Sequence, residues 1–246
     1  FGKGVLFGGW FTFDVTTSGG QRWYAMQGTA SSNSSTVDLD IATGYGGNLN
    51  APPVVNGSVV GHATLQFIDC NHGTLAYTFA DGSNRTGSMP LLRLTPNVTC
   101  SSAGDNGNPP GRYLLSGSWY DAATSGQGLI FDINPIQRYL FAAWYTFAIN
   151  GQQPGGPTSQ RWYTLQSGEF AEDATSLNGI GIYAATGGIF DDPAATKTEK
   201  VGTADIVFVS CTALTLSYAF TNQDNLGRTG TIHLTRTGPA PAGCSL

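Results

Sequence analysis

Leu140-Phe141-Ala142-Ala143-Trp144-Tyr145-Thr146-Phe147 decides the fold, because the chain carries it twice: Leu6-Phe7-Gly8-Gly9-Trp10-Phe11-Thr12-Phe13 is the same phrase with conservative exchanges. Outward from it the match continues. Gln21-Arg22-Trp23-Tyr24 answers Gln160-Arg161-Trp162-Tyr163, Ile41 answers Ile182, Gly46-Gly47 answers Gly187-Gly188, Pro52 answers Pro193 and Gly61 answers Gly202. Near the ends Phe67-Ile68-Asp69-Cys70 meets Phe208-Val209-Ser210-Cys211, Leu75–Phe79 meets Leu216–Phe220, and Arg85-Thr86-Gly87 meets Arg228-Thr229-Gly230. Agreement at this many fixed intervals is the signature of a duplicated unit. It divides the chain into a first domain, 1–100, a Gly/Pro/Asn linker, 101–111, and a second domain, 112–246.

Each copy alternates apolar and polar residues between Gly, Asn, Asp and Pro breaks, and neither shows a helical period, so the fold class is all-β. In the second copy the pattern predicts strands over 113–120, 127–133, 138–148, 160–167, 178–185, 201–210, 213–221 and 229–236. Eight short strands in succession suit an antiparallel meander barrel or a two-sheet sandwich. In 201–210 the set Gly202, Ala204, Ile206, Phe208, Ser210 is predicted to face the core. The opening strand 138–148 is apolar on both faces, which requires burial on both. A barrel wall covered by the other domain or by a second subunit meets that requirement.

The first copy is shorter at its start. Nothing in it matches Gly117-Ser118-Trp119-Tyr120-Asp121, and Gly2-Lys3-Gly4-Val5 reads either as the tail of a second strand or as the turn after it. The first domain is therefore expected to be short of one or two N-terminal strands. Such a sheet carries unpaired N–H and C=O groups along two edges, which proteins normally cover or pair. Completion by strands from a neighbouring molecule, hence self-association, is the expectation.

Charged residues make up only 11 % of the 246, less than half the usual share, with Gly, Ser, Thr, Asn and Gln abundant. A net charge of -5 and a pI near 4.9 oppose nucleic-acid binding, which needs Lys and Arg to displace counterions from phosphates. No apolar run reaches the ~20 residues of a membrane helix. The four cysteines fall at matching places in the two copies, favouring Cys70–Cys100 and Cys211–Cys244 over bridging between the domains, and a metal site is the weaker reading because no C-x-x-C and no His in register exist. Disulfides point to an oxidising compartment, so the expected location is secreted or at the cell surface. The absence of an initiator Met reads as a processed or trimmed product.

The phrase G-x-W-Y-D, S-G-x-G, W-[FY]-T-[FY], R-W-Y and C…C resembles a repeat of uncharacterised secreted bacterial proteins, often in tandem. It is carried here by Gly117, Trp119, Tyr120, Asp121, Ser125, Gly126, Gly128, Trp144, Tyr145, Thr146, Phe147, Trp162, Tyr163, Cys211, Tyr218 and Cys244. That resemblance implies secretion and tandem architecture, and no activity. The G-x-W-Y strand and the eight-strand meander are also similar to avidin-type barrels, as an analogy of fold alone.

For chemistry the chain offers little. His62, His72 and His233 have no histidine in the other copy, and no G-x-S-x-G elbow is present. A glycan-active hydrolase needs two carboxylates, and Asp191-Asp192, Glu169, Glu172-Asp173 and Asp121 are the supply. Asp191 and Asp192 also have oxygen ligands suited to calcium, while Asp before Pro at a turn more often caps backbone N–H groups. No cofactor is implied.

The strongest repeated feature is Gln21, Arg22, Trp23 and Tyr24 with Gln160, Arg161, Trp162 and Tyr163. Two readings compete for it. Either the aromatic rings are core and the strand packs against a neighbour, or an exposed Trp stacks on a sugar or another flat apolar ligand, with Gln and Arg supplying directional hydrogen bonds. The leading expectation is a non-catalytic extracellular structural module that assembles through β-strand complementation. A carbohydrate- or apolar-ligand-binding module is the alternative, and a hydrolase the third.

Overall fold

The computed structural model describes residues 4–15, 19–31, 34–95, 111–149, 159–192 and 196–246. The chain is all-β in two units. Strands β1 (Val5–Phe13), β2 (Gln21–Thr29), β3 (Thr36–Tyr45), β4 (Asn56–Phe67), β5 (His72–Phe79) and β6 (Thr86–Leu92) form one antiparallel sheet in that order. Strands β7 (Gly117–Tyr120), β8 (Gly128–Asn134), β9 (Tyr139–Phe147), β10 (Gln160–Gln166), β11 (Ser176–Thr186), β12 (Lys197–Ser210), β13 (Ala213–Phe220) and β14 (Thr229–Arg236) form a closed barrel, sealed where β14 meets β7 at Thr235–Tyr120 and Arg236–Trp119. Of barrel and sandwich, the second domain is a barrel.

Period-two alternation makes these strands. In β3, Val37, Leu39 and Ile41 are buried while Asp38 and Asp40 are exposed, so one face of Thr36–Ile41 enters the core and the other meets water. In β12, Ala204, Ile206 and Phe208 are buried between exposed Asp205, Val207 and Val209, the face expected. The core of the barrel is a single apolar cluster drawing on every strand from β7 to β14. The first sheet curls around its own smaller cluster, in which Leu6 and Trp10 of β1 and Met89 of β6 share neighbours with Ile41, Tyr77 and Phe79.

One strand begins later than predicted. Residues 113–120 divide into a 3-10 turn, Gly111–Leu115, and β7, because Leu115 folds into the barrel and its carbonyl accepts the Trp119 indole N–H at 3.2 Å. The turn is held by Arg112, whose guanidinium donates to the carbonyls of Asp173, Ala174 and Ser245.

The two domains match strand for strand only in part. Gly4 (φ 73) occupies the place of Arg138 (φ 52), the left-handed residue that closes the β8–β9 turn, and β1 therefore corresponds to β9. Both copies also slip register at one spot, between Ile41 and Ala42 and between Ile182 and Tyr183. Strands β1–β6 are thus the equivalents of β9–β14, Gly4 is turn and not strand, and two strands are missing from the first domain among the described residues.

Cys211 and Cys244 form a disulfide that ties the C-terminal segment to the β12–β13 turn. The expected partner of Cys70, Cys100, lies outside the described residues, as do Pro193 and linker residues 101–110. Among the described residues no helix is long and apolar enough to cross a membrane.

Candidate functional site

The repeated residues meet each other. β2 of the first domain and β10 of the second face one another, and each contributes a glutamine that reads the other's backbone. Gln21 donates from Nε2 to the Trp162 carbonyl at 2.8 Å and accepts the Trp162 N–H at Oε1, 3.2 Å. Gln160 does the same to Trp23, donating to its carbonyl at 3.0 Å and accepting its N–H at 3.3 Å. A side-chain amide has one donor end and one acceptor end, as a peptide unit does, so each glutamine satisfies one residue of the opposing strand completely. Only Gln offers both at this reach.

The indoles complete the exchange. Trp23 Nε1 donates to the Thr146 carbonyl at 2.9 Å, and Trp162 Nε1 donates to the Thr12 carbonyl at 2.9 Å. Trp23 packs against Tyr145 and Phe147 with centroids at 5.3 and 5.4 Å, and Trp162 against Phe13 and Phe11 at 5.6 and 6.2 Å. Phe11 and Tyr145 meet near the centre. The rings of Phe147 and Phe13 lie over Gly47 and Gly188 so closely that a Cβ at either glycine would sit 2.2 Å from a ring carbon. Each of these contacts occurs in two copies related by exchange of the domains, except Phe11–Tyr145, which joins equivalent positions and occurs once. The interface is isologous, as in a symmetric dimer, inside one chain.

Loops cross as well. Between β3 and β4, Leu49 enters the core cluster of the second domain, and between β11 and β12, Phe190 enters that of the first. Phe190 stands against Trp10, Tyr77 and Phe79, with the Arg85 guanidinium over both Phe79 and Phe190 at 4.2 and 4.7 Å. The next residue in each loop is left-handed, Asn50 (φ 44) and Asp191 (φ 52), a conformation that Asn and Asp tolerate best after Gly. Asn50 Nδ2 donates to the Tyr218 hydroxyl at 3.4 Å, and the Tyr77 hydroxyl donates to Asp191 Oδ2 at 2.6 Å. Burial and this carboxylate push Tyr77 up to about 12. Each cluster is closed by the other domain's plug.

These positions settle where the sequence-derived candidates lie. Trp23, Tyr24, Trp162 and Tyr163 are buried, as are Gln21 and Gln160. Of the two readings for the repeated aromatic set, the rings are core and no Trp is exposed: Trp144, Trp23 and Trp162 are 2 %, 4 % and 8 % exposed, and Trp10 is partly buried. Tyr163 takes the amide of Asn225 on its hydroxyl at 2.7 Å and is held by burial at about 12. Arg22 pairs with Asp14, and Arg161 donates to the Gln160 carbonyl at 2.8 Å. Both arginines line a cleft of about 490 Å³ between the domains, shared with Asp14, Asn222, Gln223 and Asp224. Asp191 is engaged by Tyr77, and among the described residues no three His, Cys, Asp or Glu side chains are grouped to hold a metal ion.

Sequence reasoning missed Leu49 and Phe190 and the Phe-on-Gly contacts, and it singled out Asp191 as a carboxylate for catalysis or calcium without seeing the left-handed turn and the Tyr77 bond that it supplies. The signal for the Phe-on-Gly contacts was present, since Phe13, Gly47, Phe147 and Gly188 all belong to matched phrases. For Leu49 and Phe190 there was only the fact that both copies place a large apolar residue three beyond the Gly-Gly start.

The first sheet leaves a second feature. Among the described residues, nothing pairs with the outer edge of β1 or of β6. Its consequence appears in burial: Leu91 of β6 is 37 % exposed where its counterpart Leu234 is 2 %, and Leu6 is only partly buried where Leu140 is 0 %. Exposed Val5, Leu92 and Leu94 flank the same region. Compared with protein-family models, curated proteins and solved structures, the chain matches none.

Proposed function

We propose that the protein is a non-catalytic extracellular structural module, a rigid pair of fused β domains whose open sheet joins it to neighbouring molecules by strand complementation. The observation that carries this reading is that, among the described residues, no strand lies between β1 and β6, where the sister domain has two strands and a filled core. An unpaired edge beside exposed Leu91 and Leu92 is a template for added strands. The repeated Gln, Trp and Phe residues then serve rigidity, fixing the open sheet to the closed barrel. The disulfide Cys211–Cys244 suits an oxidising, extracellular setting.

The test is the assembly state of the native protein, by light scattering and negative-stain microscopy. Ordered oligomers or filaments that dissolve when Leu92→Pro is placed on β6, at the counterpart of the Thr235 that β7 pairs with in the sister barrel, are expected. A monodisperse monomer at all concentrations would reject assembly. A second reading, glycan binding, is favoured by the cleft holding Arg22, Arg161, Asn222 and Gln223, whose polar groups suit sugar hydroxyls. It requires retention on a glycan array that Arg161→Ala removes.

A further inference from the structure

Beside the domain interface the two copies depart from their exchange symmetry. The outer face of the first sheet carries small residues there: Ala25 and Ala42 lie opposite each other on β2 and β3, and Gly44 follows two places on. Their counterparts are Thr164, Tyr183 and Ala185, of which Thr164 and Tyr183 are likewise opposite. The small side chains leave a groove of about 390 Å³ over Ala25 and Ala42, walled by Trp23 and Val55 of the first domain and by Tyr120 and Tyr145 of the second.

Tyr145 stands where the first copy has Phe11, and it packs its ring against Trp23 and Phe11 as an apolar residue would. Its hydroxyl reaches across β8: Tyr145, Gly128 and Tyr120 are successive partners on β9, β8 and β7, and a Cβ on Gly128 would sit 2.8 Å from the Tyr145 oxygen. Tyr145 is 9 % exposed, and its hydroxyl has no hydrogen-bond partner among the described residues. Burial alone pushes the phenol up to about 12, so it stays a neutral donor. Nor is the oxygen sealed in, since among the described residues the fully enclosed side-chain atom without a partner is Gln127 Nε2. A buried donor without an acceptor costs stability. Phe11 at the equivalent place fills the same packing role without a hydroxyl.

Among the described residues no Asp, Glu, Lys or Arg side chain lines the groove, so nothing there balances an ionic ligand. Its floor is methyl and ring surface, and the polar side chains of Asn56 and Thr237 stand exposed at its mouth. A sugar would leave most of its hydroxyls unpaired on such a floor. We propose that this groove binds a small uncharged ring compound, in its simplest form an aromatic carbonyl compound, whose ring lies over Ala25 and Ala42 and whose oxygen accepts the Tyr145 hydroxyl. An apolar concavity with one directional polar group is the usual make-up of a small-ligand site. The groove shares no lining residue with the cleft of Arg22 and Arg161, and its occupation is independent of whether the open sheet assembles.

The probe is acetophenone, titrated into the native protein and followed by the methyl NMR signals of Ala25 and Ala42, with ethylbenzene as the same shape lacking the acceptor. Saturable shifts at both methyls are expected, with ethylbenzene binding about fivefold more weakly, the equivalent of one neutral hydrogen bond. Tyr145→Phe, which installs the sister copy's residue, is expected to keep the melting temperature or raise it and to bring the two compounds to equal affinity. Ala42→Tyr, again the sister's residue, is expected to abolish binding of both. No saturable shift at Ala25 and Ala42, equal binding of the two compounds by the native protein, or a preference that survives Tyr145→Phe would overturn the proposal. A melting temperature lowered by Tyr145→Phe would do the same, because the hydroxyl would then be bonded within the chain. Tighter binding of methyl glucoside or of benzoate at the same methyls would also overturn it, assigning the groove to sugars or to anions.

Discussion

Gln21 and Gln160 each hold two backbone groups of the opposing domain, and each is buried. Removing either amide leaves a buried N–H and a buried C=O without partners, at about 1–3 kcal/mol for an orphaned group. Gln160→Ala is therefore expected to lower unfolding stability by about 2–4 kcal/mol in denaturant titration. Gln160→Glu restores the acceptor but not the donor, and is expected to recover little. Tyr77, Tyr145 and Tyr163 supply a pH readout, since burial raises all three phenols to about 12, with Asp191 adding to the effect at Tyr77. Their neutral forms are favoured in the folded state. The stability they contribute is full below the unfolded value of about 10 and is lost as pH rises from there through about 12. Phenolate absorbance is expected to lag for these residues, and the melting temperature to fall across that window. At this scale the sequence was informative about which residues matter and uninformative about their partners. Matching copies exposed Gln, Trp and Tyr as a set, but a glutamine that mimics a peptide unit leaves no pattern distinct from one that binds a sugar.

Among the elements, β9 was the most legible. Its apolar residues on both faces required a cover, and the cover is β1–β2 of the other domain. The plugs between β3 and β4 and between β11 and β12 were illegible, because one inserted Leu or Phe in a loop that opens on Gly-Gly has no periodicity and its destination is the other domain. The packing of Phe147 on Gly47 and of Phe13 on Gly188 fixes how those loops leave the interface. Gly188→Ala puts a methyl into the Phe13 ring and is expected to destabilise by about 1–3 kcal/mol, an overpacking cost that Phe13→Leu should partly relieve. The Cys211–Cys244 bridge, with a separation of 33 residues, restricts the unfolded chain across β13 and β14. Replacing both by Ser is expected to cost about 3–4 kcal/mol on the loop-entropy model, read as a lower denaturant midpoint.

For the molecule as a whole, duplication and internal exchange symmetry explain why few repeated residues remain for solvent. The two copies use their matched aromatic and amide side chains on each other, and they differ most where the second has β7 and β8 and the first has no counterpart among the described residues. That shortfall was readable as a length difference before any coordinates. Its size was not, because Gly2-Lys3-Gly4-Val5 fits both a strand tail and a turn until the left-handed Gly4 aligns it with Arg138. The central claim is that the open sheet is completed from outside. Amide hydrogen exchange on the native preparation compares each copy with its sister in the same tube. Completion from outside requires the β1 and β6 amides to exchange as slowly as those of β9 and β14 in the assembled preparation, and fast once the protein is diluted to monomer. If they exchange at the rate of exposed backbone in the assembly, or stay slow in the isolated monomer, nothing from outside occupies the edge and the account is wrong.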